Sequence, residues 1–344
     1  MPNNLIIALG RAMMDARVVE ISEPGRHLSL HRGFMVVHGE TADWAEQTPA
    51  GEVQEPVRAE LGRIALDQLA AVLCTARGVS HSSNLVIELA SRHVPLVYCG
   101  AGFLPAAIAW PVDGHHLQSL RIQSQVEAGK PLIKRLWREL VVAKIKHQAL
   151  VLEAGDPETA EGLDSMARRV KSGDPDNLEA QAARRYWPAL MGTDFRRDRA
   201  AADQNALLNY GYAILRSGIA RAIMAAGLHP SIGLHHQNRY NAMCLVDDLM
   251  EPYRPVIDLA VLKLVQAGHG EVSAPVKAYL AGLLLTPVQT DQGITPLHTV
   301  LNRLAQSLAT VLSEGGRTRL LLPPPFERAT PLLGLPTIPT AAGA

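Results

Sequence analysis

The sequence predicts an α+β, multidomain chain: a β-rich N-terminal domain followed by a mainly α-helical C-terminal domain. Three observations carry this. The first third shows short apolar runs with strand-like alternation, whereas residues 115–152 and 178–320 carry long stretches with helical spacing. The length of 344 residues suits two domains of ordinary size. Hydrophobic residues make up 47% and charged residues 19%, enough apolar side chain for a sizeable core and too little charge for a wholly disordered chain. The expected boundaries are 1–110 for the β-rich domain, 111–321 for the helical domain and 322–344 for a mobile tail rich in Pro and Ala.

The elements follow in order. HLSLHRGFMVVHG (27–39) has the pattern of a hairpin turning at Arg32-Gly33. LAAVLC (69–74) is a short buried strand, and SHSSNLVIELASRH (80–93) a helix after a Ser-rich cap. Residues 94–112 carry no charge over nearly the length of a membrane span. Their density of Gly and Pro predicts two short buried strands around a turn instead. Beyond Pro111 the helical spacing is interrupted at GDPE (155–158), SGDPDN (172–177), Gly227 to Pro230 and Gly268 to Gly270.

The N-terminus has no basic segment leading into a long apolar core, so no signal peptide is expected. Cys74, Cys99 and Cys244 form no CxxC pair, which argues against a cysteine zinc site or a disulfide framework and fits a reducing cytoplasm.

The net charge is zero, which excludes a uniformly basic nucleic-acid binder but not a locally basic face. Residues 40–67 hold seven acids against Arg58 and Arg63. From His115 to Leu150 there are seven Lys or Arg, among them Lys134 and Arg138, against two acids. A second basic cluster runs from Arg168 through Arg184 and Arg185 to Arg199. Either cluster alone reads as a solvated helix face. Two of them beside an acidic N-terminal third favour an anionic ligand, with nucleic acid the natural candidate.

The densest polar constellation is residues 233–258, with His235, His236, Asp247, Asp248 and Glu251 close together. LVDDLMEP reads as a helix that stops or kinks before Pro252. Asp248 and Glu251 stand i and i+3, on one face, with Asp247 about 100° away. Two carboxylates facing a histidine make a hard-ligand set suited to Mg²⁺ or Mn²⁺. The alternative is a helix start that favours acids, with histidines in a turn. Glu179 is the second candidate, although Asp176-x-x-Glu179 also resembles a capping box, which needs no catalysis. No GxSxG or P-loop is present, and Cys99-Gly-Ala-Gly lacks the third glycine of a dinucleotide loop.

Five segments carry a resemblance: GHHLQSLRIQSQ (114–125), KIKHQA (144–149), DNLEAQAARRYWPALMG (176–192), the run 205–236 ending in GLHH, and NRYNAMCLVDDLMEPYRPVID (238–258). With them the chain resembles the integrase of the CRISPR adaptation machinery, the first CRISPR-associated core protein, in its type II form. The likeness runs from about residue 5 to residue 320, with an acidic insertion near residues 40–60 and a tail after 322 as departures. It implies a helical catalytic domain and a homodimer held through the N-terminal domains. It implies a divalent metal on Glu179, His236 and Glu251, the catalytic residues, with His235 the weaker match beside His236. Asp248 and Tyr210 would assist, and Tyr210, Arg239 and Arg254 match positions near the site that face DNA phosphates.

In the family two such dimers flank a dimer of a small ferredoxin-like partner. The complex joins the 3′-hydroxyl ends of short DNA fragments to the repeat of a CRISPR array by transesterification. The RNA-guided effector nuclease is a further candidate partner, and no membrane is involved. The competing readings are a non-catalytic DNA-binding scaffold and a stand-alone nuclease for branched DNA.

Overall fold

The computed structural model describes residues 17–39, 58–100, 105–109, 111–112, 114–198, 200–201, 203–236, 238–290, 293–323 and 337–338. The acidic segment 40–57 and most of the C-terminal tail therefore lie outside the described residues. The chain divides into two compact units, the first ending at Pro111 and the second beginning in earnest at Val112.

Among its described residues the first unit holds two four-stranded sheets and one α-helix. Strands β1 (Arg17–Ile21), β5 (Leu69–Cys74), β7 (Leu96–Cys99) and β8 (Pro105–Ala109) lie side by side in that order. β1, β5 and β7 run parallel and β8 returns antiparallel. Every residue of β5 is buried, which explains its unbroken apolar sequence: a strand covered on both faces has no polar side to alternate. β4 (Glu60–Ala65), β3 (Phe34–His38), β2 (His27–His31) and β6 (Ser80–His81) form the second sheet. β2 and β3 make the expected hairpin, pairing His31 with Phe34 across Arg32 and Gly33. Both turn residues have positive φ, 47° and 81°, the conformation whose twist matches that of the flanking strands.

Helix α1 (Ser83–Ser91) starts at Ser82, whose hydroxyl accepts from the Leu85 N–H. Its Leu85 and Leu89 join Val19, Ile21, Val72 and Leu96 of one sheet and Leu28, Met35, Val37 and Ile64 of the other in a single apolar core. Residues 96–99 and 105–109 do form two strands, with the expected turn between them outside the described residues, but β8 is not buried as expected. It is the edge strand of its sheet, and Ala106 and Ala107 are exposed.

The second unit is helical: α2 (Gln118–Glu127), α3 (Lys130–Leu152), α4 (Pro157–Arg169), α5 (Leu178–Met191), α6 (Gln204–Ala225), α7 (Cys244–Met250), α8 (Arg254–Gln266), α9 (Ala274–Gly282) and α10 (Leu297–Ser313). α6 is buried along nearly its whole circumference. Gly211 and Gly218 allow that. A Cβ on Gly211 would meet Ile257 at 2.5 Å, and one on Gly218 would meet Leu284 at 2.9 Å, so both neighbours close directly on the α6 backbone.

Two elements depart from the sequence expectation. α4 fills a stretch between the two helical runs. It opens on Asp156, whose carboxylate accepts from the Thr159 N–H, with Pro157 at the first helical position. A short antiparallel hairpin, β9 (Pro287–Thr290) and β10 (Gly293–Pro296), interrupts the helices. Strands of four residues are too short to show alternation against helical neighbours. Among the described residues no helix is long and apolar enough to cross a membrane.

Candidate active site

The site is built from α3, the start of α5, the loop after α6, and α7 with the 3₁₀ turn Glu251–Tyr253 that follows it. Pro252 explains that turn: it cannot continue the α-helical bonding, so the chain tightens at Glu251 and restarts as α8. The buried His147 ring donates from Nδ1 to the Pro252 carbonyl at 2.6 Å, tying α3 to the turn.

One helical turn before His147, Lys144 reaches the same place. It is only 7% exposed. Its ammonium pairs with Oε1 of Glu179 on α5 and lies 2.6 Å from Oε2 of Glu251. Arg254 Nε donates to the other Glu251 oxygen at 2.8 Å. Burial alone would raise the Glu251 carboxyl, but Arg254 and Lys144 overcome it and hold the group down at about 2. Burial would likewise lower the Lys144 ammonium, yet Glu251 and Glu179 keep it above its ordinary value. Glu251, Lys144 and Arg254 are therefore charged at neutral pH.

Glu179 is free for this because another residue caps α5. The carboxylate of Asp174 accepts from the N–H groups of Leu178 at 2.9 Å and Glu179 at 3.0 Å. Asp176, the capping residue suggested by spacing, pairs instead with Lys171 at 2.9 Å. Asn177 sits at the N-cap with φ 49°, in the left-handed region, and makes no side-chain cap bond. The capping-box alternative is thus removed at this position.

Asp248 serves a different neighbourhood from Glu251. It is fully buried and gathers the loop at 233–236 around its carboxylate. Oδ2 accepts from the N–H groups of Leu234 at 2.5 Å and His235 at 3.1 Å. Oδ1 takes the His236 N–H at 3.2 Å and faces the His236 Nδ1 at 2.6 Å. The hydrogen bond to Asp248 raises the His236 pKa, with burial opposing. Gly233 makes the wrap possible: a Cβ there would lie 2.5 Å from the His236 carbonyl oxygen and 2.8 Å from Asp248 Oδ2.

His235 turns away. It stacks on Trp137 of α3 with ring centroids 4.2 Å apart and planes 3° from parallel. Asp247, about 100° round the helix from Asp248, pairs with Arg216 at 2.9 Å and accepts from Asn241 at 2.7 Å.

Among the described residues no three His, Cys, Asp or Glu side chains gather as a ready ligand cluster. The structure brings Glu179 and Glu251 together on Lys144, and His236 onto Asp248. The chemistry of the donors nevertheless suits a hard divalent ion. Glu251 Oε2 is buried and takes no hydrogen bond, with Lys144 facing it at ion-pair distance. Nδ1 of His236 is held by Asp248, and Nε2 makes no hydrogen bond among the described residues, which is how a carboxylate presents an imidazole to a metal.

The remaining sequence candidates fall in different settings. Lys134, Arg184, Arg185 and Arg239 are exposed. Arg138 is half-buried and donates to the Val170 carbonyl at 2.7 Å. Tyr210 is buried within α6, with the Lys277 ammonium 5.7 Å from its ring centroid. Arg254 is committed to Glu251, and its guanidinium lies 4.7 Å from the ring centroid of Tyr212. Tyr212 and Tyr186 in turn donate to the buried Asp258.

Sequence reading passed over Lys144 as one of a basic run. Its signal was spacing: with Trp137, Leu140, Val141 and Gln148 it falls on the buried stripe of α3, where an unpaired charge would be untenable. Gln125, in the segment 114–125, was also passed over. It donates to the carbonyls of His229 and Ile232 and accepts from the His229 N–H, pinning the loop that leads to His236.

Comparison with known proteins gives the family of the chain. The family model described as CRISPR associated protein Cas1 matches residues 20–274. A CRISPR-associated endonuclease Cas1 of Neisseria meningitidis serogroup C (strain 8013) is 32% identical over 263 residues, 76% of this chain and 86% of that protein. Among solved structures, a casposase bound to integration product has a TM-score of 0.73 at 18% identity, covering 91% of this chain and 95% of the other. A Cas6-RT-Cas1–Cas2 complex has a TM-score of 0.68 at 17% identity, covering 92% of this chain and 37% of the other. At those identities the two structures speak to the fold. The family match, by contrast, spans residues 20–274, well over half of the sequence, and the chain belongs to the CRISPR-associated Cas1 family.

Proposed function

We propose that this protein is a metal-dependent DNA integrase and endonuclease of CRISPR adaptation, working in the cytoplasm. The observation that carries the reading is the convergence of Glu179 and Glu251 on one buried cation position, with His236 oriented by Asp248 in the same unit. A buried carboxylate held charged by cations, as Glu251 is, is costly to maintain and serves a chemical purpose better than a structural one.

The reaction is a transesterification. The 3′-hydroxyl oxygen of a short DNA fragment forms a bond to the phosphorus at the 5′ edge of the repeat and gives up its proton, the P–O bond to the 3′-oxygen of the preceding nucleotide breaks, and that oxygen takes up a proton and leaves as a hydroxyl. Glu179, His236 and Glu251 would hold a Mg²⁺ or Mn²⁺ ion, and the chemistry it would supply when bound is a lowered pKa for the attacking hydroxyl and charge neutralisation at the scissile phosphate. Asp248 fixes the His236 tautomer, with the proton on Nδ1. Arg254 keeps Glu251 ionised. Lys134, Arg184, Arg185 and Arg239 supply exposed cations for the DNA backbone. Attack by water in place of the 3′-hydroxyl turns the same site into an endonuclease.

The expected assembly is a homodimer through the N-terminal unit, joined to a small ferredoxin-like second adaptation protein. The Cas6-RT-Cas1–Cas2 complex among the fold neighbours supports such a partner. The type II assignment and a role for the RNA-guided effector nuclease rest on the sequence resemblance.

The test is strand transfer of a short duplex with 3′-hydroxyl ends into a repeat-containing plasmid in Mn²⁺, with and without the partner. Joined product from the wild type, lost in Glu179→Ala, His236→Ala and Glu251→Ala while the proteins stay folded, is the expected result. Tight, salt-sensitive DNA binding with no joined product would make the chain a DNA-binding scaffold. Cleavage of branched DNA with no joining would make it a stand-alone nuclease.

A further inference from the structure

Lys144 occupies the place where a metal ion would be expected. Its ammonium lies between Glu179 Oε1 and Glu251 Oε2, two of the proposed ligand oxygens, and the side chain is almost wholly buried. With Arg254 on the far oxygen of Glu251, the formal charges of the ion-paired quartet Lys144, Arg254, Glu179 and Glu251 cancel. A divalent ion added to that quartet would leave two uncompensated positive charges in a poorly solvated site. Withdrawal of the ammonium from the carboxylates, and its pairing with an anion, removes that cost. A lysine suits the exchange, being a compact charge on a flexible four-carbon stem, whereas Arg254 is held by both Glu251 and the Tyr212 ring. The anion brought by the substrate is a DNA phosphate.

We infer that Lys144 is an exchangeable internal counter-ion: it closes the Glu179–Glu251 pair in the DNA-free protein, yields those oxygens when the divalent ion enters, and re-pairs with a phosphate of bound DNA. This rests on the metal-site reading above and adds a consequence to it. Metal binding is weak without DNA and is tightened by DNA, and the coupling runs through Lys144. By reciprocity the metal tightens DNA to the same degree.

The experiment measures free Mn²⁺ by electron paramagnetic resonance during titration of the wild type, Lys144→Met and Lys144→Gln. Each is titrated alone and with a short duplex bearing 3′-hydroxyl ends, against a duplex-only blank. Without DNA, both variants should bind Mn²⁺ at least about tenfold more tightly than the wild type, and the duplex should tighten the wild type by about tenfold while leaving the variants nearly unchanged. Adding Glu179→Gln to Lys144→Met should abolish the tight binding, which locates it. Thermal melting guards against loss of fold: Mn²⁺ should raise Tm more in the Lys144 variants than in the wild type. Equal or weaker Mn²⁺ binding by both variants, no larger Tm gain, or a duplex effect that survives in them, overturns the inference and leaves the metal reading standing. Failure of all three proteins to bind Mn²⁺, with or without the duplex, overturns both.

Discussion

The two units bury different things. Among its described residues the strand-rich unit buries one ionisable acid, Glu20, which accepts from the Thr75 hydroxyl, beside an apolar core that runs from Val19 and Leu28 to Leu96. The helical unit buries Lys144, His147, Asp248, Glu251 and Asp258 among its leucines and isoleucines. An apolar core gains stability from every side chain it hides. Buried charges gain little and demand partners, and each acid here has them. The first unit is organised for stability, and the second carries a charged centre whose upkeep the surrounding packing must offset.

The largest expected effect is at Asp248. Asp248→Ala strips the acceptor from three backbone N–H groups and from His236, and should cost about 3–5 kcal/mol in urea denaturation. It should also weaken Mn²⁺ binding, because His236 loses its orienting partner. Leu28→Ala in the other core should cost about 2–5 kcal/mol, the range for a buried leucine. That variant, assayed below its unfolding transition, should keep its Mn²⁺ affinity. Equal loss of metal binding in both would erase the distinction between the two cores.

Acid–base titration sharpens it further, because two buried acids have opposite signs. Glu251 is held at about 2 against an ordinary 4.5, so its stabilisation is full above pH 4.5 and is lost as pH falls toward 2. Burial pushes Asp258 up to about 7 from 3.8, with the Tyr212 and Tyr186 hydroxyls opposing. Asp258 therefore favours the folded state when protonated, and that advantage fades as pH rises from 3.8 toward 7. Asp258→Asn should flatten this decline by about 1–3 kcal/mol across the window, read from urea melts at stepped pH. A slope unchanged in the variant would place the titration elsewhere.

The smallest effect is Ser82→Ala, which removes the α1 cap and should cost about 1 kcal/mol with no effect on metal binding.

Much of this architecture was legible in the order of residues. The β2–β3 hairpin, the Ser82 cap and the break at Pro252 are local events, decided by which backbone angles Arg32-Gly33 accept, which hydroxyl lies beside an unpaired N–H, and which residue lacks one. The carboxylates and histidine of the site were visible as residue types, and the family through its motifs. The partners were not. Spacing put Asp248 and Glu251 on one face, yet one gathers a loop and the other meets Lys144 and Arg254. Spacing offered Asp176 as a cap, but Asp174 holds that role. The sequence by itself determined the local elements and the inventory of charge, because those depend on neighbours along the chain. Only the tertiary structure decided that Lys144 of α3 stands between Glu179 and Glu251, because a buried charge is settled by whichever opposite charge the packing delivers, 35 residues away in one case.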